Sequence, residues 1–421
     1  MADFHQEGII TNLHALYEAF DREEYLIRLE KKLAQYTRHV KIGLLLPSLY
    51  SEIKVPDVLE RILGEIEKVR YIHRVVVALG GAPDEDQFRE AKEYFGRLKM
   101  RGRDVKIIWV EGPRIREVLG NMQDRDIPTG VQGKGQSVWI ALGYILARED
   151  CDVIALHDCD IVTYDRILLA RLIEPIANPN NDFEFCKGYY VRISPEERAM
   201  KGRVTRLFVT PFVDTMARIM QNQGLDSLGR FFSYHRTFNY PLAGEFSFSA
   251  QLARGINIAY DWGLEVSTLS EVYKRLNPQK IAQIDLARNY EHKHQEMSPE
   301  DAQRGLHRMA VDIAKFYLNY MRSHGFSLDD AIIDMILHTY YQNALNFIKS
   351  YSDDAEVNNL IYDRYREEQA AHFFRGFLWT AWEQCKGPQL STQIPSWNRV
   401  LYSITDIYEH LTHVVEKDNS A

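Results

Sequence analysis

The spacing of apolar residues along the chain changes twice, near residue 41 and again near residue 298. In residues 1–40, Ile9, Ile10, Leu13, Leu16, Tyr17 and Phe20 recur at helical spacing, and Leu26, Leu29 and Leu33 repeat it after Asp21. The pattern predicts a helical arm, either packed on the main domain or forming part of a dimer contact. From residue 41, apolar runs of strand length alternate with amphipathic stretches. Residues 41–46, 74–79, 105–110 and 153–156 read as buried strands, and 56–68, 84–100 and 136–148 as helices, with Gly80-Gly81 and Gly112-Pro113 at turns. Such alternation specifies an α/β domain: a mostly parallel sheet with helices on both faces. After Asp160 the pattern loosens, with strands of a smaller mixed region expected at 183–191 and 246–249 and a helix over 204–221.

Beyond residue 298 strand signals cease. Ser298-Pro299-Glu300-Asp301 reads as a helix start, with serine at the N-cap, proline at N1 and acids in the first turn. Apolar stripes follow at Leu306, Met309, Ile313, Phe316, Tyr317 and Tyr320, then at Ile332, Ile336, Tyr340 and Phe347, and last at Leu401, Ile404, Tyr408, Leu411 and Val415. Aromatic stripes at this spacing are core positions, so a helical C-terminal region, 298–421, is expected after a sheet domain of 41–297.

Composition narrows the function. A net charge of -8 over 421 residues argues against a general nucleic-acid binder. The four cysteines show no zinc-type spacing and read as thiols of a reducing compartment, the cytoplasm. The N-terminus lacks a signal-peptide pattern, and no apolar run approaches the ~20 residues that span a bilayer.

Several segments carry candidate chemistry. The strand 153–156 delivers Asp158 and Asp160 just past its carboxyl end, where open α/β sheets bind ligands, and paired carboxylates there suit a hard divalent cation that can hold a diphosphate. Gly133-Lys134-Gly135-Gln136 opens the preceding helix, where glycines, a helix N-terminus and a lysine favour an anion. Lys201-Gly202-Arg203-Val204-Thr205 offers backbone N–H groups, a guanidinium fork and a hydroxyl at another helix start. Tyr240-Pro241-Leu242-Ala243-Gly244-Glu245 ends an irregular stretch on an acid, and His292 and His294 fall two residues apart late in the same domain.

Over roughly residues 41–295 these segments resemble the retaining glycosyltransferases that make glucosyl-3-phosphoglycerate and mannosyl-3-phosphoglycerate, most strongly from Gly133 onward. The resemblance implies the GT-A fold, a Rossmann-like nucleotide-binding sheet, here with a C-terminal helical annex. It implies a divalent metal, Mg2+ or Mn2+, on Asp160 and on a histidine after the last strand, His292 ahead of His294. Asp158 would lie near the ribose or diphosphate. Leu46-Pro47-Ser48-Leu49-Tyr50-Ser51-Glu52 resembles the family's nucleoside-binding segment, and the departures at Tyr50 and Ser51 leave Glu52 as the ribose acid beside Pro47 and Leu49. Lys134 would face the diphosphate, Gly202, Arg203 and Thr205 the acceptor, and Glu245 the transferred sugar. Asp261-Trp262-Gly263-Leu264-Glu265 resembles a further family segment, which would hold the acceptor or shape the pocket.

The implied reaction is transfer of a hexose, glucose first, from a UDP-, GDP- or ADP-sugar to the 2-hydroxyl of 3-phosphoglycerate, with retention at the anomeric carbon. Same-face attack is preferred over a covalent route, for which Glu245 is the candidate nucleophile. A mannosyl transfer, a direct glycosylglycerate synthase and a non-catalytic nucleotide-sugar sensor or scaffold are the alternatives. A nucleotidylyltransferase is disfavoured, because Leu46-Pro47-Ser48-Leu49 stands where its Gly-x-Gly-Thr-Arg stretch belongs. No nucleic-acid partner is expected, and a homodimer is one use of the terminal helices.

Overall fold

Backbone hydrogen bonds in the computed structural model, which describes residues 5–6, 8–287, 289–292, 305–387 and 393–420, join eight strands into one sheet. In chain order these are β1 (Thr11–Leu13), β2 (Ile42–Leu49), β3 (Arg74–Gly80), β4 (Asp104–Trp109), β5 (Val153–Leu156), β6 (Phe185–Tyr190), β7 (Phe246–Ser249) and β8 (Ile281–Ala287). Across the sheet they lie in the order β1-β8-β6-β7-β5-β2-β3-β4. Every pairing is parallel except those of β7, which runs antiparallel between β5 and β6. The mostly parallel α/β sheet expected from the apolar alternation is therefore present, but β6 and β7, expected in a smaller mixed region, pair into its middle.

Side chains alternate between two buried faces, as the two-residue period of a strand requires. Leu44, Leu46, Val75, Val77 and Ile107 face one core, with α1 (Arg22–Tyr36), α2 (Asp57–Lys68), α3 (Glu85–Gly96) and α6 (Arg166–Ala177). Leu45, Val76, Ala78 and Ile108 face the other, with α4 (Pro113–Gln123), α5 (Lys134–Ala147) and α9 (Leu264–Arg275). A third core joins α7 (Thr210–Asn222) and α8 (Asp226–Arg236) to α10 (Gly305–Ser323), α11 (Asp330–Val357) and α12 (Arg364–Cys385). Its apolar stripes are buried at Ile313, Phe316, Tyr317, Tyr320, Ile336 and Tyr340. The last two helices, α13 (Trp397–Ser403) and α14 (Ile407–Ser420), return to the sheet. There Asn419 accepts from the Ile107 N–H at 3.0 Å and donates to its carbonyl at 2.8 Å, closing part of the exposed edge of β4.

The arm differs from the sequence expectation. Residues 22–36 are helical behind the Asp21 N-cap, but Thr11–Leu13 form an edge strand and Leu16–Ala19 a single 3-10 turn. Leu16 and Phe20 are exposed. The cause is tertiary: β1 takes the open edge of β8, where buried Gln283 donates to Asn12 Oδ1 at 2.6 Å. Residues 204–221 also divide, into a wide π-helical turn, Val204–Val209, followed by α7. The expected helix start at Ser298-Pro299-Glu300-Asp301 lies outside the described residues.

Trp397 of α13 stacks on Trp139 of α5 with ring centres 4.4 Å apart and donates to the Trp139 carbonyl at 2.9 Å. Gly143 makes room for it, since a Cβ there would lie 2.0 Å from the Trp397 ring. Trp397→Ala is expected to cost about 3–5 kcal/mol of stability, read as a lowered urea midpoint, because it leaves a cavity against α5.

Candidate active site

Strand β5 ends at Leu156, and the chain beyond it is held from the far side of β7 and β6. An isolated antiparallel bridge pairs Ile161 with His292, and the Val162 N–H donates to the Glu291 carbonyl at 2.6 Å. This brings His292 Nδ1 within 2.9 Å of Asp160 Oδ1. Ligand atoms of Asp158, Asp160 and His292 lie within 4.8 Å of one another. His294 lies outside the described residues. Burial would raise the Asp160 carboxyl, but its contact with His292, together with the charges of Lys134 and Arg192, outweighs burial and holds the carboxyl low.

Lys134, the first residue of α5, reaches the same cluster. Its Nζ is 2.7 Å from Asp158 Oδ1 and 3.0 Å from Glu265 Oε1. Burial alone would lower its pKa, but the two carboxylates outweigh that and raise it, so the ammonium stays charged. The helix start is pressed onto the segment before α9: a Cβ at Gly135 would lie 1.9 Å from the Ala259 carbonyl oxygen. Only glycine permits that approach.

Gly244 is equally constrained, because a Cβ there would fall 2.2 Å from Asp158 Oδ2. The Ala243-Gly244-Glu245 turn thus packs directly on Asp158. Glu245 is fully buried, and its Oε2 accepts from Tyr190 Oη at 2.8 Å while Oε1 faces the Asp158 N–H at 3.5 Å. Burial, then the Asp158 charge, raises its carboxyl pKa. Tyr190 stacks on Tyr290 with centres 3.6 Å apart, and its hydroxyl is 3.4 Å from His292 Nε2. Glu52 accepts from Ser48 Oγ at 2.7 Å and the Leu49 N–H at 3.2 Å. Its burial, reinforced by Asp160 and Asp158, pushes it up to about 7.

These groups share a cavity of about 1080 Å³. At the carboxyl ends of β2, β3 and β4 it is lined by Pro47, Leu49, Glu52, Gly80, Gly81 and Glu111. Lys134, Asp158, Asp160, Tyr190 and His292 line the middle, and Arg192, Gly202, Arg203, Thr205 and Tyr240 lie beyond them. Helices α10 and α12 complete that wall with Arg308, Met309, Arg366 and Glu367. Glu245 does not line the cavity but stands behind Asp158 and Tyr190, and of residues 261–265 Trp262 and Glu265 line it. Gly202 has φ +76, and a Cβ there would meet Tyr240 Oη at 2.9 Å, so glycine is required on both counts. Arg203 Nε donates to Glu367 Oε1 at 2.7 Å.

Tyr190, Arg192, Arg308 and Glu367 escape sequence reasoning. Tyr190 and Arg192 had a signal in following a buried strand, β6, to its carboxyl end. Glu367 had none, being one glutamate on an amphipathic helix.

No family model matches the chain. It is 38% identical over its whole length to the glucosyl-3-phosphoglycerate synthase of Persephonella marina, of which it covers 100%. It is 36% identical to that of Methanococcoides burtonii, over 97% of this chain and 96% of the relative. The fold is similar to the crystal structure of mannosyl-3-phosphoglycerate synthase from Rubrobacter xylanophilus, with a TM-score of 0.52 and 22% identity, covering 76% of this chain and 83% of the other.

Lys187, buried behind the site, donates to the Ala243 carbonyl, and burial lowers its pKa to about 8 from an ordinary 10.5. Between those two values the unfolded chain binds a proton that the folded one does not, so this group's contribution to stability grows as pH rises through the window. The stability of the wild-type protein relative to Lys187→Met should therefore increase from about pH 8 to about pH 10.5, measured by urea unfolding at each pH.

Proposed function

The chain belongs to the glucosyl-3-phosphoglycerate synthase family, and from that premise we propose that it is a metal-dependent, retaining hexosyltransferase moving glucose from a sugar nucleotide to the 2-hydroxyl of 3-phosphoglycerate. The observation that carries the reading is one cavity holding two unlike ends: a carboxylate–imidazole cluster with Lys134 in the middle, and a cation-rich wall around Gly202 and Arg203. The first suits a metal and a diphosphate, the second a small acid with a phosphate.

Asp160 and His292 are assigned to the metal, with Asp158 beside them. Two carboxylates and one imidazole fit Mg2+ or Mn2+ and leave positions for phosphate oxygens. A cation bound there supplies charge to the departing diphosphate. Lys134, held protonated, supplies a second positive charge at the same place. Pro47, Leu49 and Glu52 hold the nucleoside of a UDP-, GDP- or ADP-sugar, with Glu52 on the ribose. Gly202, Arg203 and Thr205 hold the acceptor by backbone N–H groups, a guanidinium and a hydroxyl.

The burial of Glu245 supports attack on the face that the diphosphate leaves. In that route the acceptor oxygen bonds to the anomeric carbon as the bond to the diphosphate oxygen breaks, and the hydroxyl proton passes to a diphosphate oxygen. Glu245 then acts from behind the sugar site, holding Tyr190 and the Asp158 main chain in place. No helix among the described residues is long and apolar enough to cross a membrane, and the four cysteines are buried and unpaired. The second supports a cytoplasmic enzyme. We assign residues 41–297 to the transferase domain, with the arm and the region after 298 as supports and as candidates for a homodimer contact.

A grid of sugar nucleotides against 3-phosphoglycerate and glycerate, with Mg2+ or Mn2+, tests the reading. Turnover with 3-phosphoglycerate is expected, whereas none with any donor would favour the sensor, and equal use of glycerate a direct glycosylglycerate synthase. Asp160→Ala should remove most turnover with the fold intact; survival of both rate and metal dependence contradicts the assignment. Arg203→Ala should raise the acceptor KM by about one to two powers of ten, from a charge-assisted bond of ~1.5–3 kcal/mol, while Arg203→Lys restores part of it.

A further inference from the structure

We propose that Glu367 positions Arg203 for the acceptor, so that α12 of the C-terminal region sets phosphoglycerate affinity from behind the loop that binds it. The inference rests on the acceptor reading given above. Glu367 is buried, and its two oxygens are divided between two guanidinium groups: Oε1 accepts from Arg203 Nε at 2.7 Å and Oε2 from Arg206 Nη2 at 2.9 Å. Arg203 is held by its inner nitrogen only. Its two terminal nitrogens have no partner among the described residues, and the side chain stays 28% exposed on the cavity wall.

Arg206 secures the rest of the loop. Its Nε donates to the Lys201 carbonyl at 3.0 Å and its Nη2 to the Met200 carbonyl at 3.4 Å, which fixes the backbone just before Gly202. One carboxylate thus orients the acceptor guanidinium and braces the turn it grows from. The trio of Arg203, Arg206 and Glu367 carries one positive charge in excess, and a partly enclosed surplus charge calls for a counter-ion. Beside it, the Thr205 hydroxyl is buried with no partner among the described residues. An anion entering from the cavity would meet both the free guanidinium nitrogens and that hydroxyl. Without Glu367 the two guanidiniums would face each other with no intervening anion, and Arg203 would lose its fixed direction.

The test is steady-state kinetics on the full chain with Glu367→Gln, which keeps the shape and loses the charge, Glu367→Ala, Arg203→Ala and the double variant Glu367→Gln/Arg203→Ala. Glu367→Gln should raise the acceptor KM by about tenfold with a smaller change in kcat, and leave the donor KM within about twofold. In the Arg203→Ala background it should have little further effect, because it acts through Arg203. Thermal unfolding of each variant serves as a folding control, and Glu367→Gln carries the test if Glu367→Ala does not fold. An unchanged acceptor KM in Glu367→Gln, effects that multiply in the double variant, or donor and acceptor KM rising together would each overturn the proposal while leaving the acceptor reading intact. An unchanged acceptor KM in Arg203→Ala would overturn both.

Discussion

The contact between Asp160 and His292 ties together the ends of two strands, β5 and β8, that have β7 and β6 between them. A carboxylate and an imidazole from such distant positions meet only if the intervening strands keep their register and the loops after them cross the sheet's edge. The Ile161–His292 bridge is that crossing. It converts two flexible strand ends into one fixed cluster, so that charge is in place before a ligand arrives, the condition under which electrostatic stabilisation is strongest.

The antiparallel strand β7 is the second constraint. A wholly parallel sheet would deliver only strand carboxyl ends to this edge, whereas β7 runs the other way and presents the turn that precedes it, Ala243-Gly244-Glu245. Gly244 lets that turn rest on Asp158, and Glu245 is sealed beneath with its carboxyl shared between Tyr190 and the Asp158 main chain. The helical region supports the sheet and the site as well. Its first helices share a core with α7 and α8 and so hold the loop before them, and its last helix covers β4.

Much of this was legible in the chain, for physical reasons that differ by element. Strands β2 to β5 are buried on both faces, so their apolar runs stand out, and Val153–Leu156 begins and ends where the pattern places it. Asp158, Asp160, Lys134 and Gly202 sit at strand ends or helix starts, positions with a local chemical signature. β1 was invisible because three residues completing an edge carry no period of their own, and the helical spacing around them is coincidental. Glu367 was invisible because its meaning lies in Arg203 and Arg206, more than 160 residues earlier. Glu245 was noticed for its motif, yet its burial behind the cavity wall follows only from the sheet.

The most direct measurement of the central claim is the structure of the product. Incubating the protein with Mg2+, an α-linked glucosyl nucleotide and 3-phosphoglycerate, and resolving the product by NMR, reads the anomeric configuration, the linkage position and the fate of the phosphate together. The geometry predicts an α-glucosyl group on the 2-oxygen with the phosphate intact. A β-linked product would contradict same-face transfer, and glucose released to water with phosphoglycerate untouched would contradict the assignment of the cation-rich wall to the acceptor.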